Sequence, residues 1–134
     1  MRWPWVSALG NLWTLPNTVL GFLIGLCLAW SLPRLDRKRG YFKFDRGGGI
    51  SGWMRRRASA TTFGHAVVFW EPSTSRDDAI LEHELVHVRQ YDVLGLFYLP
   101  LYLALLPFYG GQRRHPLERP AYARQDEVEA RRPT

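Results

Sequence analysis

Two histidines stand four positions apart in the stretch LEHELVHVRQ (residues 81–90), and a glutamate directly follows the first of them. On a helix, residues four apart share a face, with Cβ atoms about 5–6 Å apart. His83 and His87 can then reach one ion together. Glu84 points about 100° further round the helix, where it can reach a water on that ion without being a ligand. This is the logic of the H-E-x-x-H pattern. Two neutral imidazoles hold Zn²⁺, the metal lowers the pKa of its bound water toward about 7, and the glutamate serves as general base on that water. The plain alternative is a helix with two packed histidines and a surface glutamate.

A catalytic zinc needs a third protein ligand and an open fourth position. The chain has a single cysteine, Cys27, which excludes an internal disulfide, a CxxC pair and an all-cysteine zinc site. Six residues after His87 stands Val93, so the third histidine of the metzincin pattern is absent. The remaining donors are Asp92, His115, Glu118, Glu127 and Glu129. Asp92 lies too near His87 to turn back onto the same ion easily, and Glu127 and Glu129 belong to a polar tail. The stretch HPLERPAYARQ is better placed. Its polar groups follow the Gly110–Gly111 turn and open a last helix, expected from about residue 116 to residue 131.

HELVHVRQ, then an apolar stretch, then HPLERPAYA resembles the gluzincin metallopeptidases, the thermolysin-like group of zincins, and especially the very small minigluzincins. The resemblance covers roughly residues 60 to 125. It implies a zinc-dependent peptidase whose third ligand is Glu118, followed three residues later by the small Ala121. It also implies that a strand upstream of the motif, residues 60 to 70, forms a sheet edge along which substrate lies. Pro120, two residues after Glu118, is tolerated only in a first helical turn, so Glu118 must sit at or just before a helix start. A donor to the reaction's oxyanion is expected near the metal, from among His65, Tyr91, His115 and Tyr122. Tyr122 ranks first, one turn from Glu118; His65 can serve from the strand.

These residues need elements to carry them. Ser75 is the expected N-cap of the motif helix, with Asp77 and Asp78 in its first turn. No glycine or proline interrupts residues 76 to 94, so the helix should run to about Gly95. Upstream, YFKF (41–44) alternates, ISGWMRRR (50–57) suggests a second short strand, and ATTFGHAVVFW (60–70) is the best strand, with period-two β-branched and aromatic residues. DRGGG and EPSTS break these runs. The expected fold is α+β: a small zincin-like domain in which a short antiparallel sheet precedes the H-E-x-x-H helix and a downstream ligand helix.

The 134 residues carry a formal charge of +6, concentrated in one block. Arg34, Arg37, Lys38, Arg39, Lys43, Arg46, Arg55, Arg56 and Arg57 face only Asp36 and Asp45. The block follows LPNTVLGFLIGLCLAWSLP (15–33), an uncharged run flanked by Trp13 and Trp30. A spanning helix needs roughly 20 apolar residues, and the positive-inside rule puts the basic side in the cytoplasm. Residues 1–39 therefore read as a membrane anchor and its basic flank, and 40–134 as the catalytic domain. A signal peptide is disfavoured, with only Arg2 at its start and no A-x-A site. Arg55–Arg57 beside Trp53 suits anionic lipid heads, since no nucleic-acid motif accompanies it. A second apolar run, Val93–Gly111, contains Pro100 and reads as a kinked helix or helical hairpin. It cannot be a single crossing if Glu118 is a ligand, because about 30 Å of hydrocarbon would separate Glu118 from His87. The expected partners are thus a peptide or protein substrate and membrane lipid. The rival reading is a non-catalytic membrane or interaction module with a structural metal or none.

Overall fold

The computed structural model describes residues 12–37, 39–56, 58–110 and 112–131. Lys38 and Arg57 of the basic block, Arg2, and Gly111 of the expected turn lie outside the described residues.

AVVF, the strand β4 (Ala66–Phe69), is buried at all four positions. Strand alternation sends Val67 and Phe69 to one face, where they pack with Tyr41, Leu81, Leu85 and Val88. Ala66 and Val68 face the other way, toward Ala29, Phe44 and Trp70. A strand covered on both faces has no polar side to show, which accounts for its uniform composition. Strands β1 (Arg34–Asp36), β2 (Tyr41–Phe44) and β3 (Ala60–Phe63) complete the sheet, in the order β1-β2-β4-β3. Short, charged β1 forms one edge, a composition that discourages edge-to-edge pairing.

The fold is α+β, as the pattern predicts, but the sheet differs in detail. The run 60–70 is not one strand. It folds into an antiparallel hairpin that turns at Gly64 and His65. Gly64 has φ +61°, and a Cβ there would lie 2.4 Å from Thr18 Oγ1, so both conformation and space demand glycine. The hairpin inserts β4 between β3 and β2, where it runs parallel to β2; the sheet is therefore mixed, not purely antiparallel. The stretch expected as a second strand forms instead one helical turn, α2 (Ser51–Met54). Gly49, with φ +55°, brings the chain against residue 28, and the Ile50 amide donates to the Leu28 carbonyl at 2.8 Å, which turns the backbone away from the sheet.

Helices cover both faces. On one lies α1 (Leu15–Leu23), continued by a π-helical turn at Ile24–Leu28. Gly21 and Gly25 permit this contact: a Cβ on Gly25 would sit 2.2 Å from Cδ1 of Phe44. Phe22 meets Phe42 and Phe44 edge-on, with ring centroids 4.9 and 5.2 Å away. The sheet crosses the division expected at residue 39, since β1 lies before it and pairs with β2 after it. On the other face lies α3 (Asp78–Leu94). Its N-cap is Asp77, whose Oδ1 accepts from the amides of Ala79 and Ile80 at 3.0 and 3.4 Å. The expected cap Ser75 is instead held in a 3₁₀ turn, Pro72–Arg76, started by the proline.

Beyond α3 the chain continues through a 3₁₀ turn, Gly95–Phe97, into α4 (Tyr98–Tyr109). Pro100 falls in the first turn of α4, where no intrahelical donor is required. The stretch Asp78–Tyr109 is long and apolar enough, by length and composition, to cross a membrane. The chain then returns: α5 (Arg119–Ala130) lies along α3, so residues 93–111 do not separate His87 from Glu118.

Gly25→Val should destabilise the fold by about 1–3 kcal/mol through overpacking against Phe44, whereas Leu23→Ala, at a half-exposed position, should cost under about 0.5 kcal/mol. Denaturant melts of the two variants measure this, and the reverse ranking would contradict the packing of α1 on the sheet.

Candidate metal centre

His83 and His87 lie one turn apart on α3 and are both buried. Their Nε2 atoms approach to 3.3 Å. Glu118 occupies the N-cap position of α5, with Pro120 in that helix's first turn, as the proline requires. From there Glu118 Oε1 reaches 2.5 Å from His87 Nε2 and 3.5 Å from His83 Nε2. The three atoms converge, and the residues form a triad able to hold a metal ion. Donors bound tetrahedrally at about 2.0–2.1 Å stand about 3.3 Å from one another, close to two of the three spacings found.

The donor chemistry fits a cation. Glu118 Oε1 and His83 Nδ1 are buried without a hydrogen-bond partner. Glu118 is ionised: burial pushes its pKa up, but the His83 and His87 imidazoles beside it more than offset this and bring it to about 2. Burial opposes a proton on His87, yet the adjacent Glu118 carboxylate and the field of Glu84 raise its pKa above the ordinary value. A proton or a metal ion can relieve this crowding of lone pairs.

The surrounding shell fixes the donors. Gln90 donates from Nε2 to the Leu117 carbonyl at 2.8 Å, which turns its Oε1 toward His87 Nδ1, 3.0 Å away. When neutral, His87 therefore carries its proton on Nδ1 and presents an Nε2 lone pair to the triad. The Tyr98 hydroxyl lies 3.1 Å from the same Nδ1. The Tyr102 hydroxyl donates to Glu118 Oε2 at 3.3 Å. Burial pushes the pKa of both tyrosines up, so they stay protonated. Gln90, Tyr98 and Tyr102 were not legible as site residues, since their roles depend on how α4 folds back over α3. The Gln90–Leu117 bond in particular joins the motif helix to the residue before Glu118.

Glu84 is buried and accepts a 2.5 Å hydrogen bond from Thr62 Oγ1 on β3. The Tyr91 hydroxyl donates to the Thr62 carbonyl at 3.1 Å, pinning the same strand residue to α3 a second time. Tyr122 sets its ring edge-on against His83, 4.5 Å between centroids, with the Arg113 guanidinium 4.7 Å from the Tyr122 ring centroid.

Other expected residues are not brought to the triad. His65 sits in the β3–β4 turn, not on a strand, with Nδ1 2.9 Å from the Gly40 carbonyl and Nε2 bonded to Asp92. Its backbone amide donates to Thr18 Oγ1 at 2.9 Å. It ties together the turn, the end of α3 and α1. His115 is fully buried, with Nε2 2.9 Å from the Tyr102 carbonyl and Nδ1 accepting the Leu117 amide at 3.1 Å. Both its nitrogens are engaged, which leaves Glu118 as the convergent third donor. Glu127 pairs with Arg124 and Arg131 on the surface.

The family model of the eCIS core domain, a family associated with metallopeptidase-like proteins, matches residues 54–94. That match spans the hairpin and the motif helix, and includes Thr62, His83, Glu84 and His87 but not Glu118. No curated protein and no solved structure matches the chain.

A metal ion at the triad would have to displace the second proton that His87 holds at Nε2 below its folded pKa. That proton stabilises the metal-free fold fully below the ordinary imidazole pKa of 6.5, and its contribution is lost as pH rises through the higher folded value. Zinc affinity should therefore rise with pH through this range and level off above it, with proton release on binding. Gln90→Leu should lower affinity by about 10- to 100-fold. Calorimetry in buffers of different ionisation enthalpy measures both; affinity independent of pH and of Gln90 would contradict the assigned donors.

Proposed function

We propose that this protein is a zinc-dependent hydrolase, most specifically a small gluzincin-like metallopeptidase, with His83, His87 and Glu118 as ligands. The observation that carries the reading is the convergence of His83 Nε2, His87 Nε2 and Glu118 Oε1, with Glu118 Oε1 buried and without a hydrogen bond. The match to a family associated with metallopeptidase-like proteins over residues 54–94 supports it.

A zinc ion held there would supply Lewis-acid activation of water and of the scissile carbonyl. The chain's own residues do the rest. Glu84, next to His83 on α3, accepts a proton from the attacking water as the C–O bond forms. It delivers that proton to the amide nitrogen as the C–N bond breaks. Thr62 donates to one Glu84 oxygen and so fixes the carboxylate's orientation. Strand β3 is an edge strand of the sheet and carries Thr62, so an extended peptide added to that edge would pass close to Glu84. Tyr122 is the candidate oxyanion donor, since its ring already rests on His83. We also place the protein at a membrane, with the site on the cytoplasmic side. The apolar stretch ending at Tyr109 and the basic residues from Arg34 to Arg56 support this.

Glu84→Gln should retain zinc and lower hydrolysis of a fluorogenic peptide pool by about 10²- to 10⁴-fold. Full zinc loading in both proteins with no hydrolysis by either would favour a binding module with a structural metal, and unchanged hydrolysis in the variant would overturn the role of Glu84.

A further inference from the structure

Helix α1 turns few of its large apolar residues inward. Its fully buried positions are small and polar, from the N-cap Thr14 through Asn17, Thr18 and Gly21 to Gly25 in the π-helical turn, and only Phe22 and Ile24 add partly buried apolar contacts to the sheet. Its outward stripe is Leu15, Val19, Leu23 and Leu26, each 42–55% exposed. Helix α4 repeats the pattern. Tyr98 is buried and Tyr102 turns its hydroxyl inward to Glu118, while Leu103 and Phe108 are 61% and 81% exposed. Water drives leucine and phenylalanine inward; small and polar residues at the packed face with aliphatic residues outside is the arrangement of helices that meet lipid. The two helices are joined near their starts. Trp13 contacts Phe97 at a centroid distance of 5.8 Å, and Asn17 Nδ2 donates to the Gly95 carbonyl at 2.8 Å.

We propose that the outer faces of α1 and α4 form one surface that lies in a single leaflet of an anionic bilayer. The proposal rests on the membrane location above but not on the zinc chemistry. The inner side of each helix is already occupied: the sheet takes that of α1, and the triad's shell takes the Tyr98–Tyr102 side of α4, which leaves the Leu103–Phe108 side outward. A helix with one lipid-facing side lies in the membrane plane. The twelve residues of α4 also rise only about 18 Å, short of the roughly 30 Å hydrocarbon core. Charge selects the lipid. The exposed apolar residues Leu26, Leu28, Trp30 and Leu32 run directly into a shallow recess of about 440 Å³ lined by Arg34, Leu35, Asp36, Arg37 and Lys43. Arg34 pairs with Asp45, and Lys43 and Arg39 pair with Asp36, so the recess and its rim keep a net positive charge, which suits a phosphate-bearing head. This docking places the triad, across α4, within about one helix diameter of the lipid, about 10 Å.

Flotation of the full chain with vesicles of phosphatidylcholine, alone or mixed with phosphatidylglycerol, tests the proposal. Zinc content and circular dichroism are recorded on the same samples. Wild type should float, most strongly with the anionic vesicles. Val19→Glu with Leu23→Glu, and separately Leu103→Glu with Phe108→Glu, should each reduce partitioning about tenfold or more with the fold retained. Arg37→Ala with Lys43→Ala should abolish only the preference for anionic lipid. Wild type remaining unbound overturns the surface, as does a lipid-free dimer that the glutamate pairs convert to monomer, which would make a second copy the occupant. Binding that persists in both glutamate pairs would leave the membrane location standing and still overturn this surface. Loss of zinc with flotation intact would count against the metal reading alone.

Discussion

Two imidazole nitrogens and a carboxylate oxygen crowded into one buried point are the constraint on which the rest of the structure depends. Such groups repel one another unless a proton or a cation lies between them, and burial sharpens the repulsion because water cannot screen it. The spacing that produces the crowding comes from two sources. Helical geometry sets His83 against His87. The return of the chain through α4 sets Glu118 against both, at the N-cap of α5.

Helix α4 is therefore part of the site, although none of its residues belongs to the triad. Its inner face continues a ladder of aromatic rings: Tyr91 stacks on Tyr98 at 3.8 Å, Tyr98 faces Tyr102 at 6.0 Å, and Tyr102 stacks on His115 at 4.0 Å. Each tyrosine hydroxyl serves a different member of the site. Tyr91 holds the Thr62 carbonyl, Tyr98 meets His87, and Tyr102 meets Glu118. The stacking sets the rings' positions, and the rings set the side chains of the triad. A displacement of α4 would reach both His87 and Glu118, and this links the apolar outer surface of that helix to the geometry inside.

Much of this was readable from local pattern. The pairing of His83 with His87, the span of α3 up to Gly95, and the need for Glu118 to precede its helix because of Pro120 all follow from rules that act within a few residues. What failed to read through depended on tertiary contact. Gly64 in an alternating run reads as one more residue of an unbroken strand, but Thr18 on α1 packs against it and makes it a hairpin turn. His65 reads as a strand residue facing a site, and its neighbours Gly40, Asp92 and Thr18 come from three distant segments. The run 15–33 reads as a lone anchor because hydropathy averages over its faces. Only the burial of Asn17, Thr18, Gly21 and Gly25 reveals that one side belongs to the protein. Gln90 and Thr62 carry no signal of their own, since an amide or a hydroxyl acquires its role from the partner that the fold brings to it.

The most direct test of the triad is the zinc X-ray absorption spectrum of the full chain loaded with one equivalent of metal. Ligation by His83, His87 and Glu118 gives a first shell of nitrogen and oxygen at about 2.0–2.1 Å, with outer-shell scattering from two imidazoles that falls to one in His87→Ala and is unchanged in His115→Ala. Scattering from three imidazoles that falls to two in His115→Ala would contradict this ligand set, as would a first shell of water oxygens alone.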